Sequence, residues 1–475
     1  MKQKVWHQQP LFQFGICVLI ATVLWQFDDS VSVSPQGWHV FSVFIAVILS
    51  FIIRSYPIGM TVMIGLVTLV GTQTISIKES LSGFGDSTVW LVVAAFLIAE
   101  SVLNTGFGKR VALLMVSRLG RSIKGLAYAI CSSEFLLGSV IPSNTARGGG
   151  IHAPIVNSLA QSMLEKEPLD PSGPTPGRYL SLVGSHANLI VASMFMTGMA
   201  ANPLVTKAAK EVYNVDFGWT TWALGAIVPG LISLLILPQL IHWLAPPVQS
   251  DGRAAQKHAA EELKTMGPMT WKEGVMMGTL ILMLLLWTTN FLHGLGTTLV
   301  AWMGVLVLLL TGAQSWDNII SNKKAFDTLF WLGGLLTMAN MLSQYGFIQW
   351  FVDNIQNSVS GLSGLSVILI LGLLYFYSMY AFSMLTGHIA AMVVPFLSVC
   401  LAAGGQPMVA VAVFAYFSCL CGCTTNYSSG PVIIYFGLGY VKAPQWFSIG
   451  FVVSIFHLVV WIGVGLAWWK VLGWW

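Results

Sequence analysis

Charge is what this chain has least of. Only 8% of its 475 residues are Asp, Glu, Lys or Arg, against 56% hydrophobic and a mean hydropathy of +0.76. A water-soluble domain carries roughly a quarter charged residues, so a soluble globule is excluded and a polytopic helical membrane protein is implied. The net charge of +4 comes from 22 basic and 18 acidic residues lying mostly between apolar stretches, where it sets orientation; nucleic acid is not an expected partner. Cysteine is also sparse, with six residues at 17, 131, 400, 419, 421 and 423, all in apolar segments that suit buried thiols better than a disulfide framework. Cys419, Cys421 and Cys423 alternate before a turn-like TTN, but no carboxylate or histidine accompanies them at ligand spacing, so no metal is assigned. No GxxxxGK[ST] loop is present, which excludes direct ATP drive, and no nucleophile motif or cofactor fingerprint is found; no cofactor is expected.

What the chain does have is repeated apolar stretches of about 17–25 residues between residues 10 and 470, each long enough to cross ~30 Å of hydrocarbon. Runs at 11–26, 38–53, 57–75 and 88–104 give four crossings, with Lys2, Lys4, Arg54, Lys109 and Arg110 on one side, which the positive-inside rule makes cytoplasmic. The first run, from Leu11, lacks a small-residue cleavage site and reads as a retained helix. Segment 107–124 spaces five basic residues around apolar ones, as in a helix lying on the membrane surface. Residues 126–164 form two apolar halves split at 143–150, the pattern of a re-entrant hairpin, and the polar stretch 165–178 returns to the cytoplasm.

The second half reruns this order. Thr88, Gly106 and Phe107 match Thr328, Gly346 and Phe347 at an offset of 240, and Thr197 and Pro203 match Thr425 and Pro431 at an offset of 228. The expected fold is therefore an all-α polytopic membrane protein, with about 11 transmembrane helices and two re-entrant hairpins in an inverted repeat. Its halves are 1–246 and 275–475, joined by a cytoplasmic linker at 247–274, and the second hairpin falls near 362–403 with its tip around 383–390.

Residues 141–150 read IPSNTARGGG, a polar cluster with no reason to exist in lipid unless it builds a buried site for something anionic. Where a helix begins in mid-membrane, unpaired N–H groups and the helix dipole favour an anion. One tip offers Ser143, Asn144 and Thr145, and the other offers Thr386, Gly387 and His388. Two facing tips suit a molecule with a carboxylate at each end. Broken spans complete the expected cavity with Thr197, Gly198 and Asn202 on one side and Thr425, Asn426, Ser428, Ser429 and Pro431 on the other. The competing reading is that such Ser, Thr and Asn residues bond only their own kinked backbone. His186 and Asn188 are secondary candidates, and Glu100 is expected to bond within its own bundle.

At PSNTAR (142–147), TGMAANP (197–203), ELKTMGPMT (262–270) and GPVIIYFGLGYVK (430–442) the chain resembles the divalent anion:sodium symporter superfamily, and within it the bacterial citrate/succinate and tartrate/succinate exchangers. The resemblance covers essentially the whole chain. It implies a homodimer in a bacterial inner membrane, each protomer having a scaffold domain and a transport domain that carries both hairpins and moves like an elevator. In the sodium-coupled members both tips read SNT, with sodium behind them; here the second reads TGHI, which puts the second sodium site in doubt.

Arg147 and His388 are then expected to stand where sodium would sit, as charge-compensating groups. A guanidinium unpaired near the bilayer centre costs at least ~2.5–3.5 kcal/mol, so an empty transport domain would cross slowly and the protein would exchange one anion for another. The alternatives are that Arg147 pairs with Glu134 in the same hairpin and that His388 is a neutral tip residue. The expected function is sodium-independent exchange of di- or tricarboxylates such as succinate, malate, tartrate, 2-oxoglutarate or citrate. A sodium-coupled symporter is the alternative, and an intramembrane enzyme using Glu134 and His388 as acid and base is the remote one.

Overall fold

A computed structural model describes all residues except 1–9, 27–32, 54, 142, 165–169, 171, 360 and 362. Lys2, Lys4, Arg54, Pro142 of the first tip and residues 165–169 and 171 of the exit after the first hairpin therefore lie outside the described residues. The first half runs α1 (Pro10–Trp25), α2 (Pro35–Ile53), α3 (Ile58–Gly71), α4 (Ile77–Ser80), α5 (Ser87–Thr105), α6 (Phe107–Leu119), α7 (Ile123–Gly138), α8 (Ala153–Ser162), α9 (Pro176–Met194), α10 (Asn202–Tyr213) and α11 (Trp219–Leu244). The helix α12 (Arg253–Met266) follows in the polar linker. The second half runs α13 (Trp271–Thr288), α14 (Asn290–His293), α15 (Thr297–Leu310), α16 (Trp316–Ile320), α17 (Lys323–Gln344), α18 (Phe347–Val359), α19 (Gly364–Ser378), α20 (Leu385–Ala402), α21 (Pro407–Leu420), α22 (Gly430–Gly437), α23 (Ala443–Leu458) and α24 (Gly465–Val471).

The protein is an all-α polytopic membrane protein. Among the described residues nine helical stretches are long and apolar enough to span a bilayer, and α1, α3 and α15 are shorter apolar helices. The only β pairing among them is one antiparallel bridge between Ser122 and Asp251.

The positions that repeat in the sequence are the ones where the backbone needs a particular residue. Gly106 ends α5 at φ 78° and turns the chain directly into α6, and Gly346 does the same between α17 and α18 at φ 82°. Both occupy the left-handed conformation in which a Cβ is strained. Pro203 and Pro431 sit in the first turns of α10 and α22, where proline's missing N–H costs nothing. Each follows an unwound stretch, so the spans α9–α10 and α21–α22 are both interrupted in the middle.

Packing divides the helices into two buried cores. The smaller joins α2, α3, the start of α5 and most of α17; the larger holds both hairpins, α7–α8 and α19–α20, with α9, α10, α11, α21 and α23, and continues into the rest of α5, α6, α13, α15 and Ala325 in the first turn of α17. Between the first hairpin and the linker, α6 packs against α7 and α12. Its Arg110 is drawn into a nearly buried fork with Glu273 of α13, at 2.7 and 3.1 Å, and also donates to the Gly267 carbonyl at 2.9 Å. Lys109 pairs with Glu262 of α12 at 2.6 Å, but on an exposed surface.

These two neighbouring ion pairs should behave differently. Arg110→Met leaves Glu273 buried without its partner and should cost about 3–5 kcal/mol, lowering the thermal midpoint of the detergent-solubilised protein by several degrees. Lys109→Ala should shift it little. Equal effects in a thermal scan would contradict this account of α6.

Candidate functional site

The first hairpin turns at Asn144 into an eight-residue π-helical segment, Thr145–His152, before α8. Its glycines are there for close approach. A Cβ on Gly148 would lie 2.7 Å from Asn188 Nδ2 and 2.9 Å from Pro431 Cβ, and one on Gly149 would lie 2.3 Å from Ile434. The RGGG run thus lets the first tip press against α9 and against α22 of the other half. From the opposite side, Gly430 leaves room for Thr145, whose Oγ1 would be 2.6 Å from a Cβ there.

Arg147 anchors this tip, and both it and Glu134 are fully buried. The guanidinium Nε donates to Glu134 at 2.9 Å, and Nη1 donates to the carbonyls of Ile141 at 2.7 Å and Gly198 at 3.1 Å. The other oxygen of Glu134 accepts from Asn188 Nδ2 at 3.0 Å and lies 3.2 Å from His152 Nδ1. Asn188 also donates to the Asn144 carbonyl at 3.1 Å, and His152 Nε2 is 2.8 Å from Ser133 Oγ. The network ties the tip, the hairpin's two arms and the break in the α9–α10 span into one unit.

Arg147 thus takes the pairing with Glu134 that the sequence offers as the alternative. Glu134 neutralises it within the protein, and no part of the side chain is exposed. His388, in the first turn of α20, is buried as well. Its Nε2 is 2.8 Å from Ser378 Oγ, and its ring packs on Tyr375 and Phe382 with centroids 4.2 and 5.0 Å away. No carboxylate pairs with it among the described residues.

A cleft of about 230 Å³ lies where the tips meet, lined by Ser143, Asn144 and Thr145 from the first, Met384, Leu385 and Thr386 from the second, and Ser428, Ser429 and Gly430 from the second break. Ser428 fixes the junction, its carbonyl accepting the Leu385 N–H at 2.8 Å while its hydroxyl donates to the Gly422 carbonyl at 2.7 Å. Ser429 Oγ is buried with no hydrogen-bond partner among the described residues. A larger hollow of about 450 Å³, between α1, α2 and α3, is mostly apolar and shares no residue with this cleft.

Several expected site residues build the frame and do not line the cleft. Thr197 accepts from Trp219 Nε1 at 2.9 Å, the Gly198 carbonyl is taken by Arg147, and Asn202 donates to the carbonyls of Ala192 and Phe195 at 2.9 and 3.1 Å. The residues of that break which do reach the cleft are Met199 and Ala200. Thr425 is buried, its carbonyl accepting from Trp446 Nε1 at 3.1 Å; Asn426 is partly exposed outside the cleft, and Pro431 packs at Gly148. Gly387 faces a neighbouring hollow with Phe51 and Tyr56. The backbone-bonding reading thus holds for Asn202, but Ser429 keeps a free hydroxyl.

The cleft also includes residues that the sequence reading passed over, namely Ile58, Phe96, and Lys324, Asp327, Thr328 and Trp331 on α17. The available signal was KKAFDT at 323–328, whose lysines read as ordinary flanking charges while Asp327 is out of place in an apolar span.

Comparison with known proteins agrees with this architecture. A family model described as the sodium:sulfate symporter transmembrane region matches residues 8–475. The chain is 41% identical over 460 residues to the putative malate transporter YflS of Bacillus subtilis, covering 97% of this chain and 96% of that protein. It is 39% identical to the chloroplastic dicarboxylate transporter 1 of Arabidopsis thaliana (99% and 85% covered) and 31% identical to the L-tartrate/succinate antiporter of Escherichia coli (92% and 93% covered). Among solved structures, the YdaH transporter of Alcanivorax borkumensis has a similar fold, with a TM-score of 0.56 at 12% identity, covering 83% of this chain and 89% of that one.

Because no other lysine or arginine lies at hydrogen-bond distance from Glu134 among the described residues, Arg147→Met should cost about 3–5 kcal/mol and strip most folded protein from a size-exclusion profile. The double variant Arg147→Met/Glu134→Leu should recover part of that loss. A single variant as stable as the parent would contradict the network described above.

Proposed function

The chain belongs to the sodium:sulfate symporter transmembrane family, and from that premise we propose that it exchanges one di- or tricarboxylate for another across a bacterial inner membrane without sodium. It is a multi-pass membrane transporter, not an enzyme. Transport of dicarboxylates is supported by the relatives whose names state malate, dicarboxylate or tartrate and succinate. The observation that carries the site assignment is the convergence of both tips on one cleft beside the unpartnered hydroxyl of Ser429. Each tip starts a helix, and apart from the Ala146 and Leu385 N–H groups, which Ser143 Oγ and the Ser428 carbonyl accept, a carboxylate oxygen can meet the N–H groups of its first turn.

Independence from sodium has a specific support. Sodium is a hard cation that takes oxygen ligands, and carbonyls freed at a helix break are its usual ligands in transporters of this kind. Here the carbonyls of Ile141 and Gly198 at the first tip and break are already bonded to the Arg147 guanidinium. At the second tip the corresponding position is filled by the His388 ring. These side chains replace the metal structurally, while Glu134 balances the guanidinium.

Obligatory exchange then has a different cause from an uncompensated cation. With the cleft empty, the helix N-termini and the Ser429 hydroxyl would cross the bilayer unmet, and each unsatisfied polar group costs several kcal/mol in an apolar setting. Bound carboxylates remove that cost, so only the loaded protein crosses readily. The movement is an elevator-like displacement of the two hairpins and the broken spans past α2, α3, α5 and α17, in a homodimer. The ion pair Lys207–Asp86, at 2.5 Å between α10 and the start of α5, must break as it proceeds.

The test is uptake of labelled succinate into proteoliposomes loaded with unlabelled succinate or with buffer, each with and without sodium. Uptake only into preloaded vesicles and indifferent to sodium is expected; sodium-dependent uptake into empty vesicles would establish a symporter instead. Removing one hydrogen bond to a charged ligand costs about 1.5–3 kcal/mol, so Ser143→Ala and Ser429→Ala should each raise the KM for succinate by about tenfold or more. An unchanged KM in both would show that the cleft is not the binding site.

A further inference from the structure

The cleft holds one cation that neither tip supplies. Lys324 lies in the first turn of α17, is exposed, and lines the same cleft as Ser143 and Thr386. Among the described residues its ammonium makes no ion pair or hydrogen bond, and no other cation lines the cleft. Asp327, one turn further along α17, is also exposed in the cleft.

The two ends of the molecule differ at this point. Asp86 and Asp327 stand just before the repeated Thr88 and Thr328, at nearly equivalent positions of the two halves. Asp86 is engaged by Lys207, but the offset of 228 that relates Pro203 to Pro431 puts Tyr435 where Lys207 stands, so Asp327 has no such partner. Hydrogen bonds fix the levels. Asn322, just before α17, donates to the carboxylate of Glu100 on α5, while Thr337 further along α17 accepts from the N–H of Gly83 at 3.0 Å. The start of α17 therefore lies at the end of α5 that leads to Lys109 and Arg110, the cytoplasmic end by the positive-inside rule. At the other end of α5 the Lys207–Asp86 pair holds α10 against it.

We propose that Lys324 is a positioning residue that takes the second carboxylate of a dicarboxylate on the cytoplasmic face alone. This rests on the exchange function proposed above. The tips hold one end of the substrate by backbone N–H groups and hydroxyls, and the flexible, hydrated ammonium of a lysine at the mouth attracts the other without locking it. Most of α17, from Trp331 onward, packs with α2 and α3, past which the tips move in the displacement proposed above, so the contact exists only while the cleft faces this helix end. Asp327 limits the attraction and so favours release. The protein would bind dicarboxylates more tightly from inside than the tips alone allow, with no matching effect outside.

The experiment measures the KM for succinate separately at each face, using inverted and right-side-out membrane vesicles preloaded with succinate. Lys324→Gln should raise the cytoplasmic-face KM about fivefold with the maximal rate within twofold, leave the outer-face KM unchanged, and be rescued by Lys324→Arg. Asp327→Asn should lower the cytoplasmic-face KM, and succinamate, with a single carboxylate, should show no difference between parent and Lys324→Gln. Equal changes at both faces, or none at either, overturn the inference while leaving the exchange function standing. A parent protein that exchanges no dicarboxylate overturns that function and this inference together.

Discussion

The pairing of Arg147 with Glu134 is the interaction on which the site depends. Neither group is tolerable alone in an apolar interior, and together they still need their remaining donors and acceptors met. The chain meets most of them locally, with the carbonyls of Ile141 and Gly198 on one side and Asn188 and His152 on the other, while Nη2 of Arg147 has no hydrogen-bond partner among the described residues. A buried ion pair contributes little net stability compared with an apolar replacement, so its value here is geometric. It fixes a hairpin tip, a broken span and a π-helical segment relative to one another.

From that anchor the rest of the cleft follows by close packing. The glycines after Arg147 bring the first tip against α22, and Gly430 brings α22 against the first tip, so each half completes the other's site. In a bilayer there is no hydrophobic force between helices, and small residues at contacts supply the close packing that replaces it. The inverted repeat then gives the cleft two tips with opposite approach, each offering the start of a helix. What the two halves do not share is their charge. The first places its cation behind the tip, whereas the second places a cluster of rings there and a lysine at the mouth.

Much of this was legible in the sequence, and for identifiable reasons. Polar clusters such as SNTAR and TNYSSGP stand out against apolar spans, and Gly106, Gly346, Pro203 and Pro431 repeat because backbone geometry at those points admits few other residues. The direction of side chains was not legible. Thr197, Asn202 and Ser429 look alike in sequence, yet the first two are consumed by Trp219 and by the backbone of the break, and only the third retains an unmet hydroxyl in the cleft. The Arg147–Glu134 pair could stand only as an alternative in the sequence, because thirteen residues separate the two and the closed hairpin is what brings them together. Lys324 and Asp327 were passed over because nothing local to 323–328 shows that this helix end faces the tips.

The most direct test of this account is a cryo-electron microscopy map of the protein with succinate in sodium-free buffer. Density for the diacid should lie between Ser143–Thr145 and Ser428–Ser429, with the Arg147 guanidinium still on Glu134 and the carbonyls of Ile141 and Gly198. A guanidinium turned into the cleft to bind substrate, or substrate bound away from both tips, would contradict it.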